Sequence, residues 1–227
     1  MSNIKIIGDV RIYDNVAIGD GSVIHGPAVI GQPPRDKKEG ELPLSIGRGA
    51  IIRPFTTIYA GSKIGDLFRT GQGVSIRENN AIGNNVSVGT NAVLEFENKI
   101  GNNCRIHSGC FLEMVTVGEY VFIGPNTVFT DDPHPMNCPK YKECGGGATI
   151  EDYVRIGANC TFLPAVRIGR GALIGAGSVV ADDIPEMMVA AGSPAKVIKS
   201  VEELTCRIDA FERPYVWWPY TDLESDK

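Results

Sequence analysis

An aliphatic residue followed by glycine recurs along this chain at intervals built on six residues. The pairs begin at Ile46, Ile64, Ile82, Val88, Ile100, Val117, Ile123, Ile156, Ile168 and Ile174. Four of them, Ile46, Ile64, Ile82 and Ile100, follow one another at intervals of 18 residues. This double period predicts coils of three short strands, each turning one aliphatic side chain inward. The sequence therefore predicts an all-β solenoid whose strands pair in parallel with those one coil away, about 4.8 Å along the axis.

Two segments interrupt the repeat. Residues 32–44 carry three prolines and six charged residues, and residues 130–147 put 27 residues between Ile123 and Ile150, where four repeats would need 24. We expect one solenoid domain over residues 1–198, with these segments as loops, because loops on a rigid scaffold are where sites are usually built. Residues 199–227 are predicted to form a short C-terminal helix, from the spacing of Val201, Leu204, Ile208 and Phe211, and an aromatic tail.

Composition excludes several classes of protein. The formal net charge is -5 and the chain has no run of lysine and arginine, which argues against a nucleic-acid-binding surface. No stretch approaches 18 consecutive apolar residues and the first ten residues lack a signal-peptide pattern, so we expect a soluble, cytoplasmic protein. The six cysteines are expected to be reduced, since a β-core of this size needs no disulfide framework.

The repeats over residues 4–180, the loop with His134-Pro135 and the segment Ala191–Lys196 resemble the hexapeptide-repeat acyltransferases. The resemblance implies a left-handed parallel β-helix, a homotrimer, and acetyl-CoA bound between adjacent subunits near the C-terminal coils. Phe129–Pro135 and the stretch from Gly145 to Gly169 are most similar to nucleotide-sugar N-acetyltransferases. This similarity implies that the acceptor is the amine of an amino sugar, carried on a nucleotide.

The same loop also resembles that of the sugar O-acetyltransferases, in which a histidine at the position of His134 is the general base. A hydroxyl acceptor is therefore the alternative to an amine. Two further alternatives remain: a γ-type carbonic anhydrase, which needs three histidines converging on zinc, and a non-catalytic trimeric β-helix.

Acetyl transfer from a thioester needs a base to take a proton from the attacking nucleophile, and histidine suits that role. The chain has three histidines, and His134 and His107 are the candidate bases; His25 lies in an early coil. Asp131 and Asp132 are candidates to orient His134. Glu113 is a candidate partner for His107.

Two turn asparagines, Asn126 and Asn159, are candidates to position the substrate through their side-chain amides, although asparagine also suits left-handed turns. The resemblance implies that CoA contacts the backbone of Gly175, Ala176, Gly177, Ser178, Ala191 and Gly192. Lys196, with Arg170 or Lys199, would neutralise the CoA phosphates. No metal is expected to be required, and the rival interpretation of the second loop is a zinc site formed by His134, Cys138 and Cys144.

Overall fold

The computed structural model describes residues 3–134, 138–140, 143, 146–206, 208 and 211–215. These residues form 28 short β-strands, numbered in chain order, in three sheets that make the faces of a prism. Face A consists of β1 (Lys5–Ile7), β4 (Val23–His25), β7 (Ile51–Ile52), β10 (Arg69–Thr70), β13 (Ser87–Val88), β16 (Arg105–Ile106), β19 (Phe122–Ile123), β22 (Arg155–Ile156), β25 (Leu173–Ile174), β27 (Met188–Gly192) and β28 (Ala195–Ser200). Face B consists of β2 (Val10–Ile12), β5 (Ala28–Gln32), β8 (Thr57–Tyr59), β11 (Ser75–Ile76), β14 (Val93–Leu94), β17 (Phe111–Leu112), β20 (Val128–Phe129), β23 (Thr161–Phe162) and β26 (Val179–Val180). Face C consists of β3 (Val16–Ile18), β6 (Leu44–Ile46), β9 (Lys63–Ile64), β12 (Ala81–Ile82), β15 (Lys99–Ile100), β18 (Thr116–Val117), β21 (Thr149–Ile150) and β24 (Arg167–Ile168).

The aliphatic residues that recur every six positions are the inward-facing residues of these strands. Each strand pairs in parallel with the equivalent strand one coil away, so that Ile82 lies between Ile64 and Ile100. These three side chains are at most 4% exposed. Because nearly every coil adds one apolar side chain to each column, with Thr70 the polar exception on face A, the core is continuous along the axis. The predicted parallel solenoid is confirmed.

Turn residues in the left-handed conformation join the faces. The edge between faces A and B, called the A/B edge, has Asn91, Asn126 and Asn159 at φ near 57° in three of four successive coils, and Gly109 takes this position in the other. The edges between faces B and C and between C and A are called the B/C and C/A edges. Asparagine tolerates this conformation better than most side chains, which explains its recurrence at the turns.

The outward rows give the three faces different chemistry. The outward row of face B is uncharged from Val29 to Val179. The outward row of face C carries Lys63, Lys99 and Arg167. On face A, the outward row from Ile51 to Leu173 reads Ile51, Arg69, Ser87, Arg105, Phe122, Arg155 and Leu173, with arginine but no acidic residue.

Both interruptions of the repeat lie at the B/C edge. The first follows β5 and the second follows β20, and each returns to the next strand of face C. The second was predicted as a protruding loop over residues 130–147. Part of it lies outside the described residues, but its base is described on both sides.

The C-terminal end differs from the prediction of a helix. β27 and β28 pair in antiparallel fashion against face A. A single 3-10 turn, Val201–Glu203, follows, capped by Ser200, and Leu204 is already extended. Of the predicted helix, only this turn is found among the described residues, and the assignment of residues 199–227 to a separate tail stays a prediction. No helix in the described ranges is long and apolar enough to cross a membrane.

A ladder of buried polar side chains lies beneath one stretch of the B/C edge. Asn98 is fully buried; its side chain donates to the carbonyl of Glu95 at 2.8 Å and to Oδ1 of Asn80 at 2.9 Å. Its own Oδ1 accepts from the Val115 amide at 3.0 Å. Asn80 in turn donates to the carbonyls of Arg77 and Glu95, each at 2.8 Å. This ladder fixes the backbone of the B/C edge over three coils.

We expect Asn98→Ala to destabilise the fold by about 2 to 4 kcal/mol, because buried carbonyls and amides would lose their partners. The free energy of unfolding in urea measures this loss. The matched control, Lys99→Ala, removes an exposed side chain of the neighbouring residue and should change it by no more than about 0.5 kcal/mol. Equal effects of both substitutions would contradict a structural role for the ladder.

Candidate functional site

The A/B edge carries His107, directly after β16. Its imidazole is exposed and contacts the ring of Phe122 in the next coil, with 4.8 Å between ring centroids. The backbone amide of His107 donates to the carbonyl of Ile123 at 2.9 Å, which holds the residue in the coil. A cavity of about 260 Å³, lined among others by Arg69, Ser87 and Ser108, opens beside it. His107 is therefore a solvent-accessible imidazole at the A/B edge, with its backbone held in the coil, and its role as a base stays a prediction.

A second cavity lies farther toward the C-terminal coils of the same face. It has a volume of about 410 Å³ and is lined among others by Phe122, Leu173, Gly175 and Ala176. Phe122 thus separates it from His107. The cavity contains two of the residues predicted to contact CoA, at three coils, or about 14 Å, from His107 along the axis.

Arg155 and Tyr215 close one side of this second cavity. The Arg155 side chain is almost completely buried, donates from Nη2 to the carbonyl of Gly171 at 2.5 Å, and lies 3.8 Å from the centre of the Tyr215 ring. A stacked guanidinium and phenol make a rigid, partly polar wall. Residues before 200 and a residue of the C-terminal tail therefore share this cavity.

The B/C edge carries the second group of predicted catalytic residues. Glu113 follows β17, and Asp131 lies at the base of the protruding loop. Burial and, to a smaller extent, the charges of Asp131 and Glu95 together raise the pKa of Glu113 to about 7, against the opposing charge of Arg77. A carboxyl group with this pKa exchanges protons near neutral pH.

His134 lies exposed on the same loop. Its backbone amide donates to Oδ1 of Asp132 at 2.7 Å, so Asp132 shapes the loop through the backbone of His134. The predicted orientation of the His134 imidazole by Asp131 or Asp132 stays a prediction. The structure places these three residues at the B/C edge together with Glu113.

His107 and its predicted partner Glu113 thus lie at different edges of one chain. His107 ends a strand of face A and Glu113 ends the following strand of face B, so face B separates them. The predicted pairing of Glu113 with His107 does not form within a single copy. His25 is four coils, or about 19 Å, from His107, so the three histidines do not converge as a carbonic anhydrase would require.

Asn126 and Asn159, the predicted substrate-positioning residues, lie one coil apart at the A/B edge. Both are exposed and both have left-handed backbone, with φ of 58° and 57°. Turn geometry explains both residues, and their side chains face the same edge as His107. A role in binding stays a prediction.

The predicted CoA backbone contacts are partly engaged within the solenoid. The amide of Gly175 donates to the carbonyl of Ala190, and that of Gly177 to the carbonyl of Ala158, each at 2.8 Å. The buried hydroxyl of Ser178 accepts from the Gly192 amide at 3.3 Å. These three amides are therefore not free donors, although Ala176 and Ala191 remain at the cavity wall and on β27.

The predicted phosphate-binding cations also have partners. Lys196 Nζ lies 3.0 Å from Oδ2 of Asp182, and both side chains are about two-thirds exposed. Arg170 lies 4.7 Å from the centre of the Tyr153 ring and 3.8 Å from Asp152. Exposed pairs of this kind contribute little to stability and exchange readily with a ligand phosphate. Lys199 is half-buried in β28.

A zinc site on the loop gains no support from the described residues, among which no group of three or more metal-ligating side chains occurs. Cys144, one of its three predicted ligands, lies outside the described residues. Of the other cysteines, Cys104 lies in the core, and burial raises its pKa to about 11, which keeps it a protonated thiol.

One group of site residues was not anticipated. Arg77 pairs with Glu78 at 2.9 Å and with Glu95 at 3.2 Å, beside Glu113 at the B/C edge. The sequence contained a pattern that predicts this group, because residues 77, 95 and 113 are spaced by 18, the length of one coil. That spacing places charged side chains in one column as surely as it places aliphatic ones.

We expect Glu113→Gln to stabilise the protein at pH 8 and to leave it unchanged near pH 4. The folded state holds the Glu113 proton up to about pH 7, whereas the unfolded chain loses it near 4.5, so the wild type loses stability as pH rises between these values. Melting temperatures of both proteins across this range measure the difference. The exposed neighbour Glu97, changed to Gln, is the control; a pH-independent difference for Glu113→Gln would refute the assignment.

Known proteins resemble parts of this chain in sequence. The family described as bacterial transferase hexapeptide (six repeats) matches residues 147–182. A 2,3,4,5-tetrahydropyridine-2,6-dicarboxylate N-acetyltransferase of Clostridium perfringens is 57% identical over 56 residues, covering 25% of this chain and 24% of that protein. A galactoside O-acetyltransferase of Lactococcus lactis is 38% identical over 93 residues, covering 39% of this chain and 44% of that protein. The chain thus spans less than half the length of these relatives.

A solved structure supports the fold along most of the chain. The UDP-N-acetylglucosamine acyltransferase of Arabidopsis superimposes with a TM-score of 0.65 and 16% identity, covering 87% of this chain and 73% of that one. At this identity the likeness concerns the fold alone. Together with the matched repeats and the parallel solenoid, it confirms the predicted resemblance to the hexapeptide-repeat acyltransferases.

Proposed function

We propose that this protein is an acetyltransferase that moves an acetyl group from acetyl-CoA to the amine of an amino sugar carried on a nucleotide. The observation that carries the proposal is the arrangement of the A/B edge. There, an accessible histidine lies between a cavity lined by Arg69, Ser87 and Ser108 and a cavity that contains Gly175 and Ala176. The names of the two partial relatives, both acetyltransferases, support the same reaction. The predicted cytoplasmic location belongs to this proposal.

The reaction assigns a task to His107. The amine nitrogen attacks the thioester carbonyl carbon, a new C–N bond forms, and the C–S bond breaks to release CoA. The nitrogen must lose a proton, which the neutral imidazole of His107 accepts and passes to the leaving sulfur as its thiolate forms. Since part of an amine is already neutral, the proton can be taken after attack.

Assembly as a homotrimer would complete the site. The uncharged outward row of face B is the surface best suited to pack against other copies, because charged residues are depleted from the centres of interfaces. With face B toward a threefold axis, the A/B edge of one copy meets the B/C edge of the next. Glu113 of the next copy would then pair with His107, and His134 with Asp131 and Asp132 would cover the acceptor.

Donor binding would use the second cavity and the C-terminal strands. Ala176, Ala191 and the glycines beside them leave room for the pantetheine arm to approach the backbone. Lys196, Arg170 and Lys199 would hold the phosphates in exchange for their present partners. Asn126 and Asn159, at the A/B edge near His107, would contact the acceptor.

A sugar hydroxyl is the second candidate acceptor, favoured by the similarity to a galactoside O-acetyltransferase. A hydroxyl stays protonated until attack, so the base would have to act during attack rather than after it. Turnover of a free or nucleotide-linked amino sugar, with none of the matching hydroxy sugar, would decide for the amine. The opposite pattern would decide for the hydroxyl.

We expect His107→Gln to lower the rate of acetyl transfer about 10²-fold or more, because the amide cannot accept the proton. Acetyl-CoA binding, measured by calorimetry, should stay within about twofold of wild type, since His107 lies outside the second cavity. His134→Gln is the comparison variant and should reduce the rate less. A normal rate in His107→Gln with a lost rate in His134→Gln would transfer the role of base to His134.

A further inference from the structure

We infer that the cavity beside His107, lined by Arg69, Ser87 and Ser108, is an oxyanion subsite that holds a phosphate or carboxylate of the acceptor. The inference rests on the proposed function for the identity of the ligand, since it names which part of the acceptor binds there. It rests on the residues of the cavity for its chemistry.

The lining of the cavity supplies donors for an anion. Arg69 contributes a guanidinium, Ser87 and Ser108 contribute hydroxyls, and Gly71 and Gly89 also line the cavity. A Cβ added at Gly89 would lie 2.4 Å from the amide nitrogen of Ser108, so this position must stay without a side chain. The result is a concave surface with one permanent cation and two hydroxyl groups, the set that recognises oxyanions.

Arg69 differs from two other exposed arginines of the solenoid, Arg48 and Arg167, which lie in ion pairs. Arg48 pairs with Asp66 and Arg167 pairs with Glu151, each across one coil of the C/A edge or face C. Within the described ranges no carboxylate pairs with Arg69. Its guanidinium therefore keeps its full charge for a ligand.

Residues around the cavity add to the positive electrostatic potential near Arg69. The outward row of face A has no acidic residue from Ile51 to Leu173, and Arg105 lies two coils from Arg69 in the same row. Arg53 Nη1 lies 3.5 Å from Nε2 of His25 at the adjoining A/B turn. Several cations without acidic neighbours create a local positive field that attracts anions.

Position along the edge relates this cavity to the reaction. Arg69 and His107 belong to β10 and to the turn after β16, two coils or about 10 Å apart along the axis. The donor cavity lies on the opposite, C-terminal side of His107. An acceptor anchored by its anion at Arg69 would therefore present its nucleophile to His107 from the side away from CoA.

The test is calorimetry with three probes on wild type, Arg69→Gln and Ser87→Ala: inorganic pyrophosphate, UDP, and the dicarboxylate pimelate. Each titration is made with saturating CoA, so that the probes do not bind in place of the CoA phosphates at Lys196, Arg170 and Lys199. Lys63→Gln is the matched control, because it removes an exposed cation from the same coil on face C. We expect Arg69→Gln to weaken binding of at least one probe about tenfold or more, Ser87→Ala to weaken it less, and Lys63→Gln to leave it unchanged.

Each result decides the inference. Arg69-dependent binding of pyrophosphate and UDP identifies a phosphate-bearing acceptor, and Arg69-dependent binding of pimelate alone identifies a carboxylate. No probe binding to wild type, or equal binding to wild type and Arg69→Gln, overturns the subsite. Failure of acetyl-CoA to bind would instead overturn the proposed function, and the anion titrations, repeated without CoA, would still report on the cavity.

Discussion

Parallel hydrogen bonding between successive coils is the constraint on which the rest of this structure depends. Each strand is held about 4.8 Å from its counterparts, and the inward aliphatic side chains close the core behind it. Because the register is 17 or 18 residues through most of the repeat, a residue type placed at one position is stacked on its equivalents in neighbouring coils. The outward side chains of equivalent positions therefore form rows along the axis, and the properties of each surface depend on the whole row more than on any single residue.

The rows on different faces and edges carry different types of residue. The outward row of face B is uncharged from Val29 to Val179, face A carries arginine and has His107 at its edge, and the B/C edge contains several carboxyl groups and both loops. In a single copy, face B separates the base at one edge from the acidic group at the other. Packing of face B against other copies would remove that separation, so the same surface that drives assembly would also complete the site.

The sequence predicted the fold well because the period is both local and repeated: Ile46, Ile64, Ile82 and Ile100 alone define coil length and inward direction. It failed for the C-terminal helix, since the predicted spacing from Val201 is interrupted at Leu204, where the described backbone is extended.

The site was harder to predict than the fold. The edge on which His107 or Glu113 lies depends on which face each strand occupies, and this is not evident from the period alone. Whether the amides of Gly175 and Gly177 are free to bind a ligand depends on their hydrogen bonds to neighbouring coils. The Arg77 and Glu95 column was predictable from its spacing of 18, but only once charged residues are aligned by coil like aliphatic ones.

Complementation between inactive copies tests most directly the claim that one site is built from two edges of different copies. His107→Gln would be assembled at equal amounts with a variant carrying Glu113→Gln and His134→Gln together. If each site takes His107 from one copy and the B/C edge from the next, random trimers recover about a quarter of wild-type activity, although each variant alone is inactive. If the mixture is as inactive as its components, each copy supplies both edges of its own site and the account of the composite site is wrong.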